Sequence, residues 1–71
     1  MIYQCVSARF YFWNGQKGYT VEFAYGLMEW FVFNEHEESD AVYTKMVKGK
    51  SKTTIREEAE SILEEYLDSI D

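Results

Sequence analysis

The sequence predicts an α+β fold in which an antiparallel meander sheet of three or four strands packs against a C-terminal α-helix. Three observations support this prediction. Apolar and polar residues alternate with a period of two through residues 2–13 and 19–25, as in strands with two different faces. Glycine and asparagine interrupt the alternation where hairpin turns are needed. Residues 54–70 instead place apolar side chains at the spacing of a helix.

The length of 71 residues predicts one small domain, residues 1–71. A chain of this size buries only about 60% of the surface that its unfolded form exposes. The 13 Phe, Tyr and Trp residues compensate, since each buried ring removes about 150 to 250 Å² from water. A single cysteine cannot form an internal disulfide, and a single histidine beside it cannot complete a structural zinc site.

The first predicted strand, residues 2–13, has two different aromatic faces. Phe10 and Phe12 lie on one face, and Tyr11 and Trp13 lie on the other. The pattern leaves open which face the helix covers, and therefore which pair of rings is exposed.

Two hairpins are expected to connect the next strands. Asn14 and Gly15 both tolerate positive φ, which indicates a loop of four or five residues before a second strand at 19–25. Gly26 then separates this strand from a third at 27–34. The third strand is apolar on both faces, which predicts a central position in the sheet.

Residues 40–48 are compatible with two structures. The apolar positions 42, 43, 46 and 47 have helical spacing, Asp40 could cap a helix, and Gly49 could end it. The β-favouring residues in the same stretch support a fourth strand instead. The balance narrowly favours a second short helix at 40–48.

The C-terminal helix has the clearest signals in the chain. Thr54 and Glu57 match a capping box, in which each side chain satisfies a free backbone N–H at the helix start. The apolar residues that follow form one stripe, which we expect to lie across the sheet. Its members are Ile55, Ala59, Ile62, Leu63, Tyr66, Leu67 and Ile70.

The net charge of −6 conceals a separation of basic from acidic residues. Residues 45–56 contain no acid and hold five of the seven basic residues, namely Lys45, Lys48, Lys50, Lys52 and Arg56. Residues 57–71 contain seven acids and no base. Such an acidic run is typical of a solvated helix face that maintains solubility, and it would also suit a cationic partner.

The predicted partner-binding residues are aromatic and acidic. Tyr11 and Trp13 are candidate anchors, because exposed Trp, Tyr and Arg side chains are enriched at binding hot spots. The candidate electrostatic face is formed by the helix acids Glu57, Glu58, Glu60, Glu64, Glu65 and Asp68.

No catalytic, cofactor-binding or metal-binding residues are predicted. His36 has acidic neighbours but no second fixed ligand, and Cys5 has no base nearby in the sequence. Without a coherent nucleophile, base and orienting group, the chain is not expected to be an enzyme.

These observations rank three functions. The first is a non-enzymatic protein-binding module, an inhibitor or regulator that occludes a partner's surface through the acidic helix and the aromatic sheet face. The second is a homodimeric structural or accessory domain. The third is single-stranded nucleic-acid binding through the Lys45 to Lys52 cluster, which the net negative charge disfavours. The lone cysteine and the lack of a long apolar run predict a cytoplasmic protein with no membrane partner.

Overall fold

The computed structural model describes residues 7–35, 40–47 and 54–70. In these residues one helix follows four strands: β1 (Ser7–Trp13), β2 (Gly18–Ala24), β3 (Glu29–Asn34), β4 (Tyr43–Met46) and α1 (Ile55–Ser69). The strands form one antiparallel sheet in the order β1-β2-β3-β4. The predicted α+β meander is therefore confirmed, and its sheet has four strands. Residues 2–6 of the first predicted strand lie outside the described residues.

The strand register gives the sheet two distinct faces. Phe10, Val21 and Val32 are cross-strand partners, and their side chains share the side on which α1 packs, which we call the helix face. The residues between them, such as Tyr11 and Thr20, point to the opposite side, which we call the open face.

The core lies between the helix face and α1. Trp30, Val21 and Val32 are fully buried, and the Tyr19 ring meets the Tyr66 ring edge-on with 6.0 Å between centroids. The other buried members of the cluster are Phe23, Ala59, Ile62 and Leu63. Both neighbours of β3 are strands, so its predicted central position is confirmed.

The turn between β1 and β2 has the predicted length, since it contains residues 14–17. The Asn14 side-chain oxygen accepts hydrogen bonds from the backbone N–H groups of Gln16 and Lys17, at 2.9 and 2.8 Å. Gly15 has φ of 97°, which glycine adopts at little cost. These local interactions fix the register in which Trp13 pairs with Gly18.

The turn between β2 and β3 is longer than the sequence indicates. The N–H of Leu27 donates to the Ala24 carbonyl at 3.2 Å, and Met28 has a positive φ of 51°. Leu27 and Met28 therefore belong to the turn, and the third strand begins at Glu29 rather than at residue 27.

A strand replaces the short helix favoured for residues 40–48, and that preference is wrong. Tyr43 and Val47 pack against the core, whereas Val42 and Met46 are exposed, so the helical spacing does not mark one buried face. The edge of β3 was open to another strand, and backbone hydrogen bonds on both sides of β4 continue the pairing.

Helix α1 follows its sequence signals closely. The Thr54 hydroxyl accepts a hydrogen bond from the Glu57 N–H at 3.2 Å, which confirms the threonine half of the capping box. The apolar stripe faces the core as predicted, except that Ile70 caps the helix end and is 59% exposed. Within the described residues, no helix combines the length and apolar character needed to cross a bilayer.

Candidate protein-binding surfaces

Tyr11 and Trp13 lie on the open face, because α1 covers the other side of the sheet. Their side chains are 49% and 62% exposed. Phe10 and Phe12, on the helix face, are half-buried against the core. The alternation in the sequence left two choices, and the position of α1 decides between them.

The Tyr11 ring crosses the neighbouring strand at Gly18. A Cβ atom at position 18 would lie 2.6 Å from Cζ of Tyr11 and closer still to its hydroxyl oxygen. Only glycine leaves this space, so the ring can rest against the backbone of β2. The contact holds Tyr11 in one place on the open face.

Two further rings extend the aromatic surface onto β3. Phe31 and Phe33 are stacked with 6.3 Å between centroids and 21° between ring planes. Phe33 is paired with Thr20, which is paired with Tyr11, so the rings follow one line across three strands. We call Tyr11, Trp13, Phe31 and Phe33 the aromatic surface.

A polar region with balanced charge adjoins the aromatic surface. Arg9 Nε lies 2.9 Å from Glu22 Oε2, and the Ser7 hydroxyl donates to the same oxygen at 3.3 Å. Both ends of this ion pair belong to neighbouring strands, so the pair bridges β1 and β2 on the open face.

Two of the candidate helix acids have cationic partners. Lys45 Nζ lies 2.7 and 3.0 Å from the two carboxylate oxygens of Glu65. The hydrogen bond from Glu65 and its negative charge raise the pKa of Lys45 above the usual 10.5, with a smaller contribution from Glu58. Arg56 and Glu60 lie one helical turn apart at 3.9 Å. The helix acids are thus partly compensated, which the sequence pattern did not indicate for Glu65.

Three acids remain on the side of α1 that faces away from the core. Glu57, Glu64 and Asp68 are exposed, and within the described part of the chain no ion pair involves them. We call these three residues the acidic outer face. Glu64 and Asp68 are four residues apart and repel each other.

The predicted binding residues therefore form two surfaces rather than one. The aromatic surface lies on one side of the sheet, and the acidic outer face lies beyond the helix on the other. One flat partner surface cannot contact both. Sequence reasoning placed them together because a one-dimensional pattern does not show which sheet face a helix covers.

A third exposed apolar region was not predicted. Tyr25, Leu27 and Met28 of the β2–β3 turn are exposed, and Met46 at the end of β4 is nearby in the sheet. The Tyr25 ring packs edge-on against Phe23 at 5.0 Å. The signal was Gly26 within an apolar run, which placed the turn too early in the sequence.

The described residues contain no group of three or more His, Cys, Asp and Glu side chains placed to hold a metal ion. Other candidates examined in the sequence lie outside the described residues, namely Cys5, His36, Lys48, Lys50 and Lys52. Lys45 is the described member of the lysine cluster, and Glu65 occupies its ammonium group. Nucleic-acid binding through that cluster stays a prediction.

Comparison of the chain with protein-family models, curated proteins and solved structures gives no match. Its function is therefore inferred from its own residues.

Proposed function

We propose that this chain is a non-enzymatic protein-binding module of the cytoplasm, an inhibitor or regulator that acts by covering a surface of a larger partner. The observation that carries the proposal is the aromatic surface on the open face. Helix α1 covers one side of the sheet, and the exposed rings of Tyr11 and Trp13 lie on the other. Exposed apolar area of this kind is typical of interaction sites.

The residue types and their setting suit a binding hot spot. Trp and Tyr offer large contact areas with few rotatable bonds, so little conformational entropy is lost on binding. Tyr11 is held against Gly18, and the rings of Phe31 and Phe33 stack beside it. A surface ordered before binding retains more of its contact energy as affinity.

Polar groups beside the aromatic surface supply a rim. The Arg9–Glu22 ion pair is internally balanced, so it can border a contact without leaving a buried charge unpaired. Interfaces generally combine an apolar centre with such a polar surround.

The acidic outer face supports a separate role in steering. A domain with net charge −6 is attracted to a basic partner at long range, although its acids lie on the side away from the aromatic contact. We therefore propose a partner whose apolar contact patch lies in basic surroundings. Steering affects the association rate more than the lifetime of the complex.

Affinity capture with the tagged chain, followed by Trp13→Ser, tests the contact surface. We expect this change to remove the captured partner, because it deletes the most exposed ring of the aromatic surface. Leu27→Ser is the matched control, since Leu27 is also 62% exposed but lies in the β2–β3 turn. Equal capture by wild type and Trp13→Ser, or equal loss in both variants, would contradict the proposed surface.

A further inference from the structure

The outer edge of β1 faces no other strand within the described part of the chain. β1 has seven residues, whereas β4 at the opposite edge has four. Sheet proteins usually protect a long edge with proline, a bulge or an inward-pointing charge. The chain has no proline, and β1 pairs with β2 without a bulge from Ser7 to Trp13. Its residues on the helix face, Ala8, Phe10 and Phe12, are uncharged.

The hydrogen-bond alternation defines which backbone groups point outward. The N–H of Asn14 donates to the carbonyl of Lys17, which continues the β1–β2 pairing past the end of the strands. In an antiparallel pair the bonded positions alternate, so the even-numbered residues of β1 bond to β2. The odd-numbered residues direct their N–H and C=O groups away from β2.

We propose that a second copy of this chain occupies this edge, with the two β1 strands antiparallel and Phe10 on the two-fold axis. The result is a continuous sheet of eight strands with both helices on one side. This register places odd-numbered residues opposite odd-numbered residues, so about eight backbone hydrogen bonds can form across the seam. A two-fold axis at the middle residue uses the whole length of β1.

The side chains on the helix face are complementary in this register. Phe10 meets the partner's Phe10 on the axis, and Ala8 lies opposite the partner's Phe12, so a small residue faces a large one. Phe10 and Phe12 are half-buried at the margin of the core of one protomer. Pairing covers their remaining exposed area and extends the core across the seam.

The side chains on the open face also avoid conflict. Ser7 lies opposite the partner's Trp13, and Arg9 lies opposite the partner's Tyr11. A guanidinium beside an aromatic ring is attracted to it, and Arg9 keeps its ion pair with Glu22. Like charges do not face each other at any of the seven paired positions.

The net charge opposes this dimer only weakly. Helix α1 contacts β2 and β3, about two strand spacings from the proposed axis, so the two helices would lie about 20 Å apart. That distance exceeds the Debye length of about 8 Å at physiological salt. Arg56 lies over the Phe12 ring at 6.0 Å, on the side of α1 towards the seam, whereas the acidic outer face points away from the sheet.

This dimer goes beyond the proposed function and does not depend on it. Edge pairing leaves the open face uncovered and brings the Tyr11 and Trp13 rings of both protomers onto one surface. The experiment below uses the purified chain without any partner. Its outcome therefore leaves the capture result untouched.

Analytical ultracentrifugation of the full chain tests the edge, and we expect a monomer–dimer equilibrium in the micromolar range. Two double variants then test the register: Ser7→Lys with Trp13→Lys, and Ser7→Glu with Trp13→Glu. Each places like charges opposite each other at two positions of the seam, so each should be monomeric where the wild type is dimeric. An equimolar mixture of the two should dimerise again through lysine–glutamate pairs, which an unfolded variant could not do.

Thr44→Lys with Met46→Lys is the matched control, because it adds the same charge to the open face at the opposite edge strand. We expect it to remain dimeric. A wild type that stays monomeric at hundreds of micromolar, double variants that still dimerise, or a mixture that does not reassociate would each overturn the proposal.

Discussion

At the residue scale, the contact between Tyr11 and Gly18 is the most specific feature of the open face. The three atoms nearest to a Cβ built at position 18 all belong to the Tyr11 side chain. A glycine in a strand usually weakens it, because the flexible backbone loses more entropy on folding. At this position the cost is offset by room for a ring.

The Gly18→Ala substitution tests this interpretation. We expect it to lower the free energy of unfolding by about 1 kcal/mol, because the added methyl group displaces the Tyr11 ring. In a Tyr11→Ala background the same substitution should instead stabilise the protein by about 0.5 kcal/mol, since alanine then has only its entropic advantage. Urea unfolding of the four proteins of this cycle measures both values, and an equal effect in the two backgrounds would contradict the contact.

Met28 shows a different limit at the same scale. Its φ of 51° lies in a region that glycine and asparagine favour, so its identity did not mark a turn. The residue after Gly26 therefore looked like the start of a strand. The true boundary depends on the Leu27-to-Ala24 hydrogen bond, which the sequence does not show.

At the scale of elements, β4 shows how tertiary pairing overrides local spacing. Four apolar residues at helical intervals favoured a helix, yet a short isolated helix gains little without a face to bury. The edge of β3 offered backbone partners instead, and Tyr43 packs beside Tyr66 at 5.8 Å from that strand. Pairing between distant segments is what single-sequence patterns describe least well.

Helix α1 carries an avoidable electrostatic cost. Glu64 has Glu60 on the preceding turn and Asp68 on the following turn, and both pairs repel. A helix selected only for stability would hold a lysine there. The acids on its outer face therefore fit a selected function such as solubility or steering.

The Glu64→Lys substitution measures that cost. We expect it to raise the free energy of unfolding by about 1 kcal/mol at low salt, because two repulsive pairs become attractive. Glu64→Gln should give about half of this gain, since it removes repulsion without adding attraction. Thermal unfolding of both variants at low and high salt provides the measurement, and a gain that is unchanged by salt would exclude the electrostatic origin.

At the scale of the whole molecule, one ion pair connects the sheet edge to the helix. Lys45 of β4 and Glu65 of α1 are each a little under half exposed, so solvent screens their attraction. Their pair nevertheless determines which flank of the helix is neutralised. It leaves Glu57, Glu64 and Asp68 as the acidic outer face.

The stability contribution of this pair should depend on alkaline pH. The folded state holds the Lys45 proton more tightly than the unfolded state, because Glu65 raises its pKa above 10.5. The contribution is therefore complete below that value and is lost as the pH rises through the higher folded pKa. We expect the stability difference between wild type and Glu65→Gln, at most about 1 kcal/mol near neutral pH, to shrink above about pH 11. Urea unfolding at both pH values measures it, and a constant difference would contradict the assignment.

The sequence by itself determined the periodic features of this protein. Alternation fixed which rings of β1 share a face, Asn14 and Gly15 fixed the first turn, and Thr54 fixed the start of α1. Each of these depends on residues within a few positions of one another, where side-chain chemistry acts directly on the local backbone.

Only the tertiary structure decided which face α1 covers, that residues 43–46 pair with β3, and that Lys45 reaches Glu65. These outcomes join segments that are distant in sequence, and each depends on competition among several apolar faces and strand edges for the same partners. The separation of the aromatic surface from the acidic outer face follows from that competition, because one helix can bury only one side of a four-stranded sheet.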